Sequence, residues 1–137
     1  MGSEARDLAL GLAALYRQAG LAPPDAASIA SGDRRRAEAL RFLVQRGVLV
    51  RAVDGMQQRT ILFHRDAMEA AKRRLAEALA RPGGLTAGEV GALLGTTRKF
   101  SIPLLEYLDA VRFTRRVGDR RVLAEAPARR SEPGMAR

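Results

Sequence analysis

Residues 85–123 read LTAGEVGALLGTTRKFSIPLLEYLDAVRFTRRVGDRRVL, and within this stretch the apolar period changes once. Up to Val111 the apolar residues recur at helical spacing, with Val90, Leu93 and Leu94 on one segment and Leu104, Leu105, Leu108 and Val111 on the next. From Phe113 the pattern becomes that of strands: Phe113–Val117 and Arg120–Leu123 flank Gly118-Asp119, a dipeptide suited to a hairpin turn. Thr86, with Glu89 three residues on, reads as a capping box; Gly95 ends that helix, and Thr96 or Thr97 caps the next. Pro103 stands six residues beyond Thr97, lacks an N–H donor and crowds the carbonyl of Lys99. A kink or a later start of regular helix is expected there, splaying Arg98 and Lys99 toward a ligand.

Upstream, His64–Ala80 carries Met68, Ala71, Leu75 and Leu79 on one helical face and is closed by Arg81-Pro82-Gly83-Gly84. The order is therefore helix, helix, helix, hairpin. The same order occurs once before. Glu4–Gly20 has Leu8, Leu12, Leu15 and Ala19 inward, and the turn Leu21–Asp25 leads into a short helix through Ser31. Asp33 caps a third helix, Arg34–Arg46, with Ala37, Leu40, Phe42, Leu43 and Val44 on its buried side, and Val48–Val53 and Arg59–Phe63 flank Asp54-Gly55. An offset of 64 superposes Leu21 on Leu85, Leu40 on Leu104, and Arg34-Arg35 on Arg98-Lys99. The fold class expected is mainly α with short β-hairpins: two tandem winged helices, a variant of helix-turn-helix. The first spans 1–63 and the second 64–123; 124–137, small, polar and proline-bearing, is expected to be disordered.

Composition narrows the function. The 137 residues include no cysteine and one histidine, His64, so thiolate metal sites, disulfides and cysteine nucleophiles are excluded and no metal site is expected. No apolar run approaches the ~20 residues of a membrane span, and the N-terminus has no signal-peptide pattern, so a cytoplasmic chain without membrane contact is expected. A net charge of +9 favours a polyanionic partner, because each neutralised phosphate releases counterions. Arginine outnumbers lysine 22 to 2, which partly reflects GC-rich coding, so the location of the charge carries the argument. With 4% aromatic residues there is little for wide base-stacking platforms, and helices are the expected reading elements.

The segment Thr97, Arg98, Lys99, Phe100 and Ser101 opens the last helix, where N–H groups and the helix dipole favour an anion. The hairpin adds Arg115 and Arg116 before its turn and Arg120 and Arg121 after it, so residues 98–121 hold seven basic and three acidic side chains. Taken alone, such arginines form a solvated face; three clusters brought together by one fold point to a ligand surface. Strand alternation lets only one of Arg115 and Arg116 face it, leaving the other for Glu106 or Asp109. Glu106 and Asp109 read as ion-pair partners, and no nucleophile, base and orienter come together, so no catalytic residue is expected.

Residues 85–123 resemble the last winged-helix domain of the bacterial selenocysteine-specific elongation factor, SelB. The motifs are Leu93-Leu94-Gly95, Thr97-Arg98-Lys99-Phe100, Pro103-Leu104-Leu105-Glu106-Tyr107 with Asp109, and Thr114-Arg115-Arg116-Val117-Gly118-Asp119-Arg120-Arg121-Val122-Leu123. Residues 4–84 resemble the preceding winged helix more loosely. The resemblance implies a fragment that binds the selenocysteine insertion hairpin of an mRNA so that UGA is recoded. Arg98 and Lys99 would meet loop phosphates, with Arg116, Arg120 and Arg121 flanking from the wing. The phosphate-loop pattern Gly-x-x-x-x-Gly-Lys-Ser/Thr does not occur, so GTP and Mg²⁺ are expected only in a GTPase part outside this chain. The first unit is expected to bind RNA weakly and mainly to set geometry. Two other readings stay open: a DNA-binding regulator with its third helix in the major groove, and a scaffold facing a partner such as the ribosome. Tandem units in one chain favour a monomer on a hairpin. Phe100 is open to base stacking or packing under the wing, Tyr107 is expected in the core, and His64 is expected to cap the helix that follows it or to lie at the surface.

Overall fold

The computed structural model describes residues 2–124; the expected disordered tail falls, from residue 125 on, outside the described residues. Among these residues, six helices and five short strands follow in the order α1 (Ser3–Ala19), α2 (Ala26–Ala30), α3 (Arg34–Gln45), β1 (Leu49–Asp54), β2 (Arg59–His64), α4 (Arg65–Ala78), β3 (Leu85–Thr86), α5 (Ala87–Leu94), α6 (Arg98–Ala110), β4 (Thr114–Val117) and β5 (Arg120–Leu123). The described residues form two compact units that divide between Ala71 and Lys72. Their division falls inside α4 rather than at 63/64, because the start of α4 is tied to the first unit. Arg65 N–H donates to the Val48 carbonyl at 2.9 Å, and Arg17 pairs with Asp66 at 3.5 Å.

In the first unit Ala9, Leu12, Tyr16, Ala39, Leu40, Leu43, Leu49 and Leu62 form the core. Of the expected inward residues of α1, Leu12 is buried and Leu8 packs against the core, but Leu15 is 45% exposed, and the stripe runs through Ala9 and the fully buried Tyr16, at i, i+3 and i+7 with Leu12. The Tyr16 hydroxyl donates to the Pro24 carbonyl, and burial, with Asp25 nearby, pushes its pKa up to about 12. Asp25 and Asp33 accept from the N–H groups of Ser28 and Arg36, capping α2 and α3. The β1–β2 connection is a four-residue loop rather than a turn centred on Asp54-Gly55. Asp54 ends β1, and its carboxylate accepts from the N–H groups of Met56 and Gln57, which holds the loop.

The second unit buries Leu75, Leu79, Val90, Leu94, Leu104, Leu105 and Leu108. Each such leucine contributes about 2 kcal/mol on leaving water. Val111, expected inside, is 47% exposed because α6 ends one residue before it. The capping box forms as read: Thr86 Oγ1 accepts from Glu89 N–H, and Glu89 Oε1 accepts from Thr86 N–H. The α6 helix begins at Arg98 and continues through Pro103, which is buried within it, so regular helix does not start late. Its sheet has three strands in the order β3-β5-β4, with Leu85 opposite Arg121. Gly84 permits this: its φ is +70°, and a Cβ there would lie 2.6 Å from the Arg121 carbonyl.

Both units run helix, helix, helix, hairpin, but the offset between them is not constant. Asp33 and Thr97, the N-cap residues of α3 and α6, differ by 64. After the helices the offset is 65: Val48 N–H bonds to the Leu43 carbonyl and Phe113 N–H to the Leu108 carbonyl. The extra residue lies within α6, which has 13 residues where α3 has 12. Hairpin registers follow, with Leu49 opposite His64 and Thr114 opposite Leu123.

Candidate nucleic-acid interface

The start of α6 is set by a tight crossing with α5. A Cβ on Gly91 would sit 2.9 Å from the Thr96 carbonyl, and Thr96 N–H donates to the Gly91 carbonyl at 2.8 Å. Ser101, fully buried, donates its hydroxyl to the Ala87 carbonyl at 3.0 Å. Ser101 therefore fastens the two helices and does not face a ligand. It shares the inward face with Leu104, Leu105 and Leu108 at i+3, i+4 and i+7.

Thr97, Arg98 and Lys99 are exposed, and Phe100 is half-buried with the Lys99 ammonium 5.4 Å from its ring centre. The Thr97 side chain makes no capping hydrogen bond. Its counterpart in the first unit, Asp33, does, and it also pairs with Arg36 at 3.4 Å. One helix start thus holds its own anion, while the other presents two exposed cations and has no acidic residue in its first turn.

The wing arginines divide between two faces. Arg116 stands opposite Arg121, and Arg115 opposite Val122, so side-chain alternation places Arg116 and Arg121 on one face and Arg115 and Arg120 on the other. Arg121 is turned inward. Its side chain is 9% exposed and donates through Nη2 and Nε to Asp109 Oδ2, at 2.7 and 3.0 Å, while the Thr114 hydroxyl donates to Asp109 Oδ1 at 2.7 Å. The Asp109 partner is therefore Arg121 rather than Arg115 or Arg116. Committed to that pair, Arg121 anchors the wing to the C-terminal end of α6 and is not a ligand contact. Arg120 donates to the carbonyls of Gly83 and Gly84 and lies 3.5 Å from Glu89, fixing the turn before β3. Arg116 Nε donates to the Gly118 carbonyl within the hairpin turn and stays exposed, as does Arg115. The sequence shows the charges but not this sorting, which needed the strand register.

His64 is 2% exposed, and its Nδ1 accepts from Asp66 N–H at 3.0 Å, capping α4. Burial pulls its pKa below the ordinary range, against the opposing pull of Asp66. Among the described residues no group of three or more His, Cys, Asp or Glu side chains could hold a metal, and no helix is long and apolar enough to cross a membrane.

Residues 77–123 match the family model described as elongation factor SelB, winged helix. This segment is a SelB winged-helix domain. A longer relative, the selenocysteine-specific elongation factor of Desulfomicrobium baculatum, is 30% identical over 110 residues, covering 77% of this chain and 17% of that protein. The chain thus spans about a sixth of that SelB relative's length. Two solved structures share the fold at 22% identity. One is the mRNA-binding domain of SelB from E. coli in complex with SECIS RNA, with a TM-score of 0.70 over 90% of this chain and 98% of that one. The other is a bacterial selenocysteine-specific elongation factor, with a TM-score of 0.58 over 89% of this chain and 18% of that one.

Proposed function

We propose that this chain is the RNA-binding end of a selenocysteine-specific elongation factor, gripping the selenocysteine insertion hairpin of an mRNA so that UGA is recoded. The observation that carries the reading is the exposed, cationic start of α6 in a SelB winged helix. Thr97, Arg98 and Lys99 meet loop phosphates, Phe100 lies beside them, and exposed Arg116 adds a wing contact on its own face of the hairpin. Arg120 and Arg121 act as positioning residues. Affinity comes from phosphates and loop shape, since side chains do not enter the deep major groove of A-form RNA. The first unit contributes little, because Asp33 already occupies the equivalent helix start. In this reading the chain is a non-catalytic monomer acting in the cytoplasm beside the ribosome, and nucleotide and Mg²⁺ chemistry belongs to a GTPase part of the longer factor.

The test is a titration of a labelled insertion hairpin and of a DNA duplex at two salt concentrations. Selective hairpin binding that weakens with salt is expected, whereas preference for the duplex would overturn the reading. Replacing Arg98 and Lys99 with alanine should lower the salt slope by up to about two units, and an unchanged slope would remove the site.

A further inference from the structure

The two units differ where their third helix meets the hairpin. By the offset of 65 along helix and first strand, and by hairpin register, Asp109, Thr114 and Arg121 correspond to Val44, Leu49 and Leu62. The second unit fills this place with its own buried ion pair; the first fills it with aliphatic side chains. One turn earlier on the helix, Glu106 corresponds to Arg41, and on the first strand Arg116 corresponds to Arg51. The second unit thus carries carboxylates on this helix face, one of them, Asp109, paired with the wing residue Arg121. The first has arginines at both positions.

The consequence is an open groove in the first unit of about 330 Å³. Ala26, Ala30, Leu40, Val44 and Leu62 make its apolar lining, Arg41 and Arg51 are its charged members, and it contains no carboxylate. Arg41 and Arg51 are exposed and have no hydrogen bond, ion pair or ring contact among the described residues. We infer that this groove docks an acidic segment of a partner protein, its aliphatic side chains on the alanine and leucine floor and its carboxylates on Arg41 and Arg51. Charge complementarity selects an acidic occupant. The floor selects a peptide over a nucleic acid: aliphatic side chains offer bases no aromatic plane, whereas they suit the apolar face of an amphipathic helix.

The experiment follows backbone amide shifts of the isotope-labelled full chain. The probe is a synthetic peptide with leucines at i, i+3, i+4 and i+7 flanked by glutamates. Its comparators replace glutamate with lysine or leucine with serine, and oligouridylate is the nucleic-acid arm. Saturable shifts confined to residues 26–30, 37–44, 51 and 60–62 are expected with the acidic leucine peptide, and their loss with the serine peptide. The double variant Arg41→Glu, Arg51→Glu should weaken the acidic peptide about tenfold and admit the lysine peptide. Arg41→Gln with Arg51→Gln gives the weakening alone, should the reversal disturb folding. Shifts elsewhere, an affinity untouched by either double variant, retention by the serine peptide, or tighter occupancy of the same amides by oligouridylate would each overturn the inference.

Discussion

Replacing Arg121 with leucine leaves the Asp109 carboxylate, 26% exposed, without its two-nitrogen partner and with only the Thr114 hydroxyl. Removing one member of a fully buried pair costs about 3–5 kcal/mol; partial exposure of Asp109 reduces this to about 2–3 kcal/mol. Asp109→Val should cost a similar amount, because it strands a guanidinium that is 9% exposed. Making the second unit resemble the first at all three positions, Asp109→Val with Thr114→Leu and Arg121→Leu, exchanges the network for packing that the fold already accommodates as Val44, Leu49 and Leu62. The triple variant should therefore lie within about 1 kcal/mol of the parent, a strongly non-additive result. Urea unfolding followed by circular dichroism gives the three free energies, and hydrogen exchange of the β5 amides localises the loss to the wing. A cost under about 0.5 kcal/mol for either single substitution, as an exposed pair would give, or a triple variant that shows the sum of the single losses, would refute a buried, self-contained network.

Two further outcomes follow from single residues. Gly91→Ala forces its new methyl against the Thr96 carbonyl, 2.9 Å away, so a loss of about 1–3 kcal/mol is expected, with amide shifts concentrated at the start of α6; a neutral substitution would show that this crossing has slack. His64 caps α4 in its neutral form, and its folded pKa lies below the unfolded value of about 6.5, so the unfolded chain binds the proton first as pH falls. Its contribution to stability is complete above about pH 6.5 and is lost as pH drops from there toward the folded pKa; His64→Asn, which keeps a capping acceptor, should flatten that part of the pH–stability curve, and an unaltered slope would assign it to other groups.

Order and type of the elements were legible in the sequence, because they depend on local chemistry: apolar spacing, the capping pairs at Asp33 and Thr86–Glu89, the turn at Gly118-Asp119, and a repeat near 64 residues. So was the exposed cationic start of α6, since the first residues after an N-cap have no preceding turn to bury them. The two-residue strand β3 was not legible, because it exists only by pairing with β5, 34 residues later. Nor could composition sort the wing arginines. Arg120 and Arg121 are neighbours in sequence, yet one fixes the turn at Gly83-Gly84 and the other the carboxylate of Asp109. That choice depends on strand register, and register is set by long-range pairing. Local pattern determined which segments are helices and strands and where positive charge accumulates; the tertiary structure decided which of those charges stay available to a ligand, because an arginine placed beside a buried carboxylate is held there by desolvation and hydrogen bonding.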